Sequence, residues 1–213
     1  MMSKSSVVIL VGLILTLGIG SLPFATWDNE FADVAHLLAH EAIYWTLVLA
    51  TIAYVAFVER RPLASIGFRM PSARDAWACI AFAVLIIGGF AVLYIVVLPA
   101  LALTETKTID ALASAPTWWL AISVVRAGVS EEILFRGYPI ERLQELTGSR
   151  WIAAVLPLTL FALAHVGPWG WSHVVVAAFG GAMLTVLYLW RRNLWINIAV
   201  HVIVDAAGML ATV

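Results

Sequence analysis

Seven mostly apolar runs divide this chain of 213 residues: 6–26, 42–58, 76–98, 118–135, 152–166, 174–190 and 195–212. A helix needs roughly 17–25 such residues to cross about 30 Å of hydrocarbon. The runs therefore predict an all-α fold, a polytopic membrane helix bundle of about seven transmembrane helices, with residues 1–213 forming a single membrane domain. Composition agrees with this, since 63% of residues are hydrophobic and only 12% are charged. Disorder is excluded, because it requires low hydrophobicity and high charge. The single Cys79 excludes a disulfide scaffold. Twelve Lys and Arg against thirteen Asp and Glu, with no basic block, exclude nucleic acid as a partner. No internal repeat or low-complexity tract is visible.

The short loops orient the bundle. With the N-terminus inside, Lys4, Arg60, Arg61, Arg69, Arg74, Arg136, Arg142, Arg150, Arg191 and Arg192 all face the cytoplasm or its edge. Basic residues concentrate on that side of membrane proteins, so a multi-pass cell-membrane protein with a cytoplasmic N-terminus is expected. Asp28, Glu30 and Asp33, and the loop with Glu105, Lys107 and Asp110, then face out. The Trp residues cluster near span ends, as an interfacial belt requires. Lys4 before an apolar run resembles a signal peptide, but the run is long and lacks an A-x-A site, so a retained anchor is expected.

Ionisable residues within spans are costly and mark function by default. Here they are Arg126, Glu131, Glu132 and Arg136 in the fourth run, His165 in the fifth, and His201 and Asp205 in the seventh. Glu131 and Glu132 point about 100° apart on a helix, so they serve different tasks. Glu132 and Arg136 stand at i and i+4 with the acid first, the favourable order for an ion pair. Glu131 is left without a local cation, as suits a general base. The bland alternative is a helix end whose charges reach interfacial water. His201 and Asp205 share one helical face, which also suits a carboxylate–histidine pair that merely locks helices together. Taken together, these groups suit activation of water, either through zinc or another divalent metal with an open position or directly, with a histidine donating to an oxyanion. No His-Glu-x-x-His, Gly-x-Ser-x-Gly, Walker or dinucleotide motif occurs. Ser130 has no Lys or His in register, which argues against a serine nucleophile. His36 and His40 also stand at i and i+4, but read as a solvated face in the outer loop.

Three patterns carry a family resemblance: Glu131-Glu132-x-x-x-Arg136-Gly137, Phe161-x-x-x-His165 and His201-x-x-x-Asp205. Their order and spacing resemble the CPBP intramembrane proteases, a family that includes the CAAX prenyl endopeptidases and bacteriocin-processing or immunity-associated proteins. The likeness covers about residues 118–206, including Gly180-Gly181 and the Asn193-Leu194-Trp195 approach to the last motif. It implies a membrane-embedded endopeptidase acting on a membrane-associated peptide or protein. Glu131 and His165 would activate water, Glu132 and Arg136 would support the first motif, and Glu131, His165, His201 and Asp205 would be metal ligands. Asp205 stands where the family pattern also resembles asparagine; an ionised Asp cannot donate to an oxyanion but can ligate a cation or orient His201. That favours metal assistance.

Two rival readings stay open on the residues alone: an immunity or scaffolding protein of the same fold, and a proton-coupled transporter. Depth poses a difficulty. At 1.5 Å per residue, Glu131 and His201 count to about 10 Å from the cytoplasmic interface, but His165 to about 20 Å.

Overall fold

Apolar runs of this length, interrupted by Gly, Pro and short polar stretches, can satisfy their backbone in lipid only as helices or a closed barrel. In the computed structural model, residues 4–22, 34–103 and 115–212 are described, and they are helical with no strand among them. Helix α1 (Lys4–Leu13) runs on through wide π turns at Ile14–Ile19. Helix α2 (Val34–Ala53) does the same through Tyr54–Val58, and α3 (Ala73–Val92) through Leu93–Val97 to Ala100. Helix α4 (Thr117–Glu132) continues through a π segment, Ile133–Gly137, into α5 (Tyr138–Thr147). Then follow α6 (Arg150–Ala164), the short α7 (Val166–Trp169), α8 (His173–Arg191) and α9 (Leu194–Thr212). The expected all-α membrane bundle is what the chain forms. Among the described residues, seven continuous helical stretches stand where seven spans were expected.

Four of them are long and apolar enough to cross a bilayer: Val34–Val58, Ala73–Ala100, Arg150–Trp169 and His173–Arg191. Ser5–Ile19 and Leu194–Leu210 are apolar but shorter, and the α4 stretch carries the buried charges. Leu49, Val84, Ile95 and Val186 are more than half exposed on helix surfaces. Apolar area of that extent would be a liability in water and is ordinary against lipid. Trp77, Trp151, Trp171 and Trp190, near helix ends, are exposed as an interfacial belt requires. The outer acidic residues Asp28, Glu30 and Asp33, and Glu105, Lys107 and Asp110, lie outside the described residues.

Local chemistry sets the turns. Ser72 and Asp75 form a capping box at the start of α3, with Ser72 N–H donating to Asp75 Oδ2 at 2.6 Å. Gly148 turns the chain at φ 68°, where a glycine avoids the strain that other residues meet, and Ser149 Oγ caps α6 by accepting from Ile152 N–H at 3.2 Å. The basic 59–75 connector is more than a linker. Its Glu59 accepts from Arg142 (2.6–3.0 Å) and Tyr138 (2.8 Å) on α5, and Gly67 C=O accepts from Leu194 N–H at 2.7 Å.

Helix α9 packs against α4 and α3, α8 against α6 and α3, and α5 against α6. The small residues Gly180 and Gly181 face inward rather than toward a second chain. A Cβ at Gly180 would stand 2.8 Å from the Phe90 ring, and one at Gly181 would stand 2.9 Å from both Leu158 and Phe161. Their smallness brings α8 close to α3 and α6, the helix that ends beside His165.

Candidate active site

The depth mismatch between Glu131 and His165 disappears once the ends of the helices are known. The count to about 10 Å assumed that the fourth run ended near Phe135. Instead α5 prolongs it by ten residues, because Tyr138, Ile140, Arg142 and Leu143 bury one face. Glu131 and His165 are each seventeen residues from Gly148, so both lie about 25 Å along their helices from the same turn. They reach the same level, and their charges are close enough to interact.

Glu132 is fully buried and saturated. Its Oε1 accepts from Arg136 Nη1 at 2.9 Å and from His201 Nδ1 at 2.8 Å, and its Oε2 accepts from Asn197 Nδ2 at 3.0 Å. Arg136, 1% exposed, lies over the Phe161 ring at 4.1 Å and donates to Gly181 C=O at 3.4 Å. The expected ion pair is thus present, and it sits in the protein interior rather than in interfacial water. This network ties α4 to α8 and α9.

Glu131 is the opposite. It makes no hydrogen bond among the described residues; its nearest charged neighbour is His201, whose Nε2 lies 3.6 Å from Oε2. The same Nε2 lies 3.5 Å from Asp205 Oδ2. Both separations exceed a good hydrogen bond. His165 sits at the end of α6, its Nδ1 2.7 Å from Phe161 C=O. A carbonyl only accepts, so Nδ1 carries the proton and Nε2 of the neutral ring presents a lone pair. By the same logic, Glu132 fixes the proton on His201 Nδ1.

Glu131, Glu132, Arg136, His201 and Asp205 are therefore brought together, with His165 alongside. Of the four residues expected as metal ligands, His201 Nε2 lies within 3.6 Å of both Glu131 and Asp205, and no group of three His, Cys, Asp or Glu among the described residues stands as an ion site. Ser130 is buried and its Oγ has no hydrogen-bond partner among the described residues, in keeping with the absence of a serine–base pair. A hollow of about 620 Å³ lined by Arg61, Arg69, Glu141, Arg142 and Arg192 lies beside the Gly148 turn and contains none of the site residues.

Residues 113–207 match the family model of the type II CAAX prenyl endopeptidase Rce1-like proteins. This stretch is similar to that family, and the resemblance read from three motifs falls within it. No curated protein and no solved structure matches the chain.

Three contributions escaped sequence reasoning. Asn197 precedes His201 by four residues, so the i, i+4, i+8 series Asn197, His201, Asp205 was visible; its bond to Glu132 was not. His173 stacks on His165 (centroids 5.6 Å, 20°) and on Trp169 (4.6 Å, 19°), a contact made across the α7 turn. The third is Glu41, which accepts from Arg126 Nε at 3.3 Å. The outer-loop reading of His40 is corrected here. Helix α2 begins at Val34, eight residues before the expected start, and both His40 and Glu41 are buried in it.

Proposed function

We propose that this protein is an intramembrane endopeptidase that hydrolyses a peptide bond of a membrane-associated substrate with water activated by Glu131 and His165. The observation that supports this most is the split between adjacent glutamates. Glu132 is fully bonded, while Glu131 has no hydrogen bond among the described residues and faces His165, His201 and Asp205. An uncommitted carboxylate is what a general base needs.

In this mechanism Glu131 takes a proton from water, whose other hydrogen is held by the lone pair of His165 Nε2. The hydroxide attacks the scissile carbonyl carbon. The oxyanion accepts a hydrogen bond from His201 Nε2 when that ring is protonated, an arrangement worth roughly 10²–10³ in rate where it has been removed elsewhere. Glu131 then passes its proton to the departing amine. Asp205 orients His201. No step in this scheme is routed through a metal.

The name of the matched family suggests a prenylated C-terminal peptide as one substrate to try. The test is purified protein in liposomes with a panel of membrane-tethered peptides, prenylated and unprenylated, read by mass spectrometry. Discrete cleavage by wild-type protein and none by Glu131→Gln protein is expected. Proton-coupled flux without hydrolysis would instead favour the transporter reading. Orientation is proposed with the N-terminus inside, on the distribution of basic residues. Reporter fusions after Arg61, Lys107, Arg150 and Arg192 should read in, out, in and in; an inside signal at Lys107 would overturn the map.

A further inference from the structure

The hollow beside the Gly148 turn takes no part in the chemistry above. Four arginines line it, Arg61, Arg69, Arg142 and Arg192, against two carboxylates, Glu141 and Glu145. Its volume of about 620 Å³ falls within the roughly 300–1,000 Å³ of small-molecule sites. Three of the arginines are committed. Arg61 bonds to Glu145, Arg192 to Glu141 and Gln144, and Arg142 to Glu59, which is outside the lining. Arg69 bonds to no carboxylate among the described residues. Its Nε donates to Ala64 C=O at 3.3 Å and its backbone N–H to Gly67 C=O at 2.8 Å. Those bonds fix the start and the middle of the side chain and leave Nη1 and Nη2 open. Gln144 accepts from Arg192 through Oε1, and its Nε2 donates to nothing among the described residues. The lining thus combines open donors with a surplus of positive charge, the complement of an anion.

Its location is the second observation. Two of the helices long enough to cross a bilayer end beside it: His173–Arg191 stops one residue before Arg192, and Arg150–Trp169 begins just past the Gly148 turn. The hollow therefore lies where hydrocarbon gives way to headgroups. Trp151, Trp190 and Trp195, near these same helix ends, are exposed as residues at that level are. Met70, the residue after Arg69, is 91% exposed, so an apolar side chain stands free next to the open guanidinium.

We propose that this hollow binds the headgroup phosphate of an anionic phospholipid. Arg69 donates from Nη1 and Nη2 to two phosphate oxygens, the fork geometry that guanidinium and phosphate share. Gln144 Nε2 donates to one of the same oxygens. Arg61 and Arg192 keep their carboxylates and contribute charge. A choline headgroup would bring its own ammonium in among four guanidinium groups, so the site selects a headgroup without a cation, such as phosphatidylglycerol. Basic pockets between membrane helices take anionic headgroups on this principle. Inorganic phosphate offers similar oxygens but no acyl chains to remain in the hydrocarbon.

Neither proteolysis nor the orientation of the bundle enters the test. Binding of phosphatidylglycerol and of phosphatidylcholine with matched acyl chains is measured by native mass spectrometry on the full chain in neutral detergent micelles. Phosphatidylglycerol should bind about tenfold or more tightly, the scale of a charge-assisted hydrogen bond. Arg69 is exposed, so Arg69→Gln should melt like wild type and lose most of that preference. Arg74→Gln, which removes an exposed charge outside the hollow, should keep it. Millimolar inorganic phosphate should leave the bound lipid in place. Equal affinity for the two lipids on wild-type protein would overturn the proposal without any variant. So would a preference that survives in Arg69→Gln protein, or one lost equally in Arg74→Gln protein, since diffuse charge rather than a site would then explain it. Displacement of the lipid by inorganic phosphate would assign the hollow to the free ion and overturn the lipid site.

Discussion

Glu131 and Glu132 are neighbours in the chain and differ in almost every physical respect. Glu132 has three donors, no exposure and a cation in van der Waals contact with an aromatic ring. Among the described residues Glu131 has no hydrogen-bond donor, and its side chain keeps 20% of its exposure. The helical rotation of about 100° between them turns one toward α8 and α9 and the other toward the ends of α6 and α9. A polar group whose capacity is filled can hold helices together but has nothing left for a substrate. One left open in a low-dielectric site is costly, and that cost is maintained only where the group does chemistry. The difference assigns structure to one glutamate and reaction to the other.

Exchanging the roles is the largest test of this contrast. Glu131→Gln should lower turnover by about 10²–10⁴, the range for a lost general base, and leave thermal stability near wild type. Glu132→Gln should do the reverse in proportion, with a lower melting temperature and an activity loss that follows the folded fraction. Activity assays paired with melting curves in the same detergent decide it. Glu131→Gln protein that melts early while its folded fraction remains active would break the comparison outright.

The next effect concerns the other half of the buried pair. Arg136→Ala leaves Glu132 charged and short of its strongest donor, and breaking a desolvated pair from one side costs about 3–5 kcal/mol. Combining Glu132→Gln with Arg136→Met removes both charges and should recover part of that loss. The measurement is the melting temperature of each variant. A wild-type melting temperature for Arg136→Ala would mean that water reaches the site where Glu132 and Arg136 meet.

A smaller effect separates two roles for the open side. If Asp205 only orients His201, Asp205→Asn keeps the geometry and should cost at most about tenfold in activity, since an amide can still bond to the ring. If Asp205 holds a metal, the same change should empty the protein of metal and abolish turnover. Elemental analysis alongside activity distinguishes them. Stoichiometric zinc lost in both His165→Ala and His201→Ala proteins would replace the metal-free mechanism.

These tests also bear on what the sequence could reveal. The seven apolar runs and three motifs were legible because helix periodicity and i, i+4 spacing are local properties. The pairing of Glu132 with Arg136 is of that kind. Its bonds to Asn197 and His201 are not, since they cross 65 and 69 positions. Nor could run length show that α5 continues α4, because Tyr138–Thr147 is amphipathic and carries Glu141, Arg142 and Glu145 among its apolar residues. That amphipathic continuation is what equalised the depths of Glu131 and His165. His40 and Glu41 were misread for a related reason: polar residues near the start of α2 look like loop until Arg126 and Trp119 are seen against them.

The smallest effect comes from an ion pair with better geometry than the buried one. Arg61 and Glu145, near the Gly148 turn, form two parallel bonds of 2.5 and 2.8 Å, against one of 2.9 Å between Arg136 and Glu132. Their side chains are 32% and 40% exposed. Bonding from Arg61 holds the Glu145 carboxyl below its ordinary value, against a smaller opposing effect of burial. A carboxyl with a lowered folded-state pKa adds stability that is present above its unfolded value, about 4.3, and is lost as pH falls through the folded value. Screening by water and salt reduces that contribution to a few tenths of a kcal/mol. Glu145→Gln should therefore lower the melting temperature slightly at pH 7, by less in 1 M salt, and the difference from wild type should fade as pH drops below about 4. A loss as large as that of Arg136→Ala would mean that bond geometry rather than burial governs these pairs, and the contrast between the two glutamates would then need another cause.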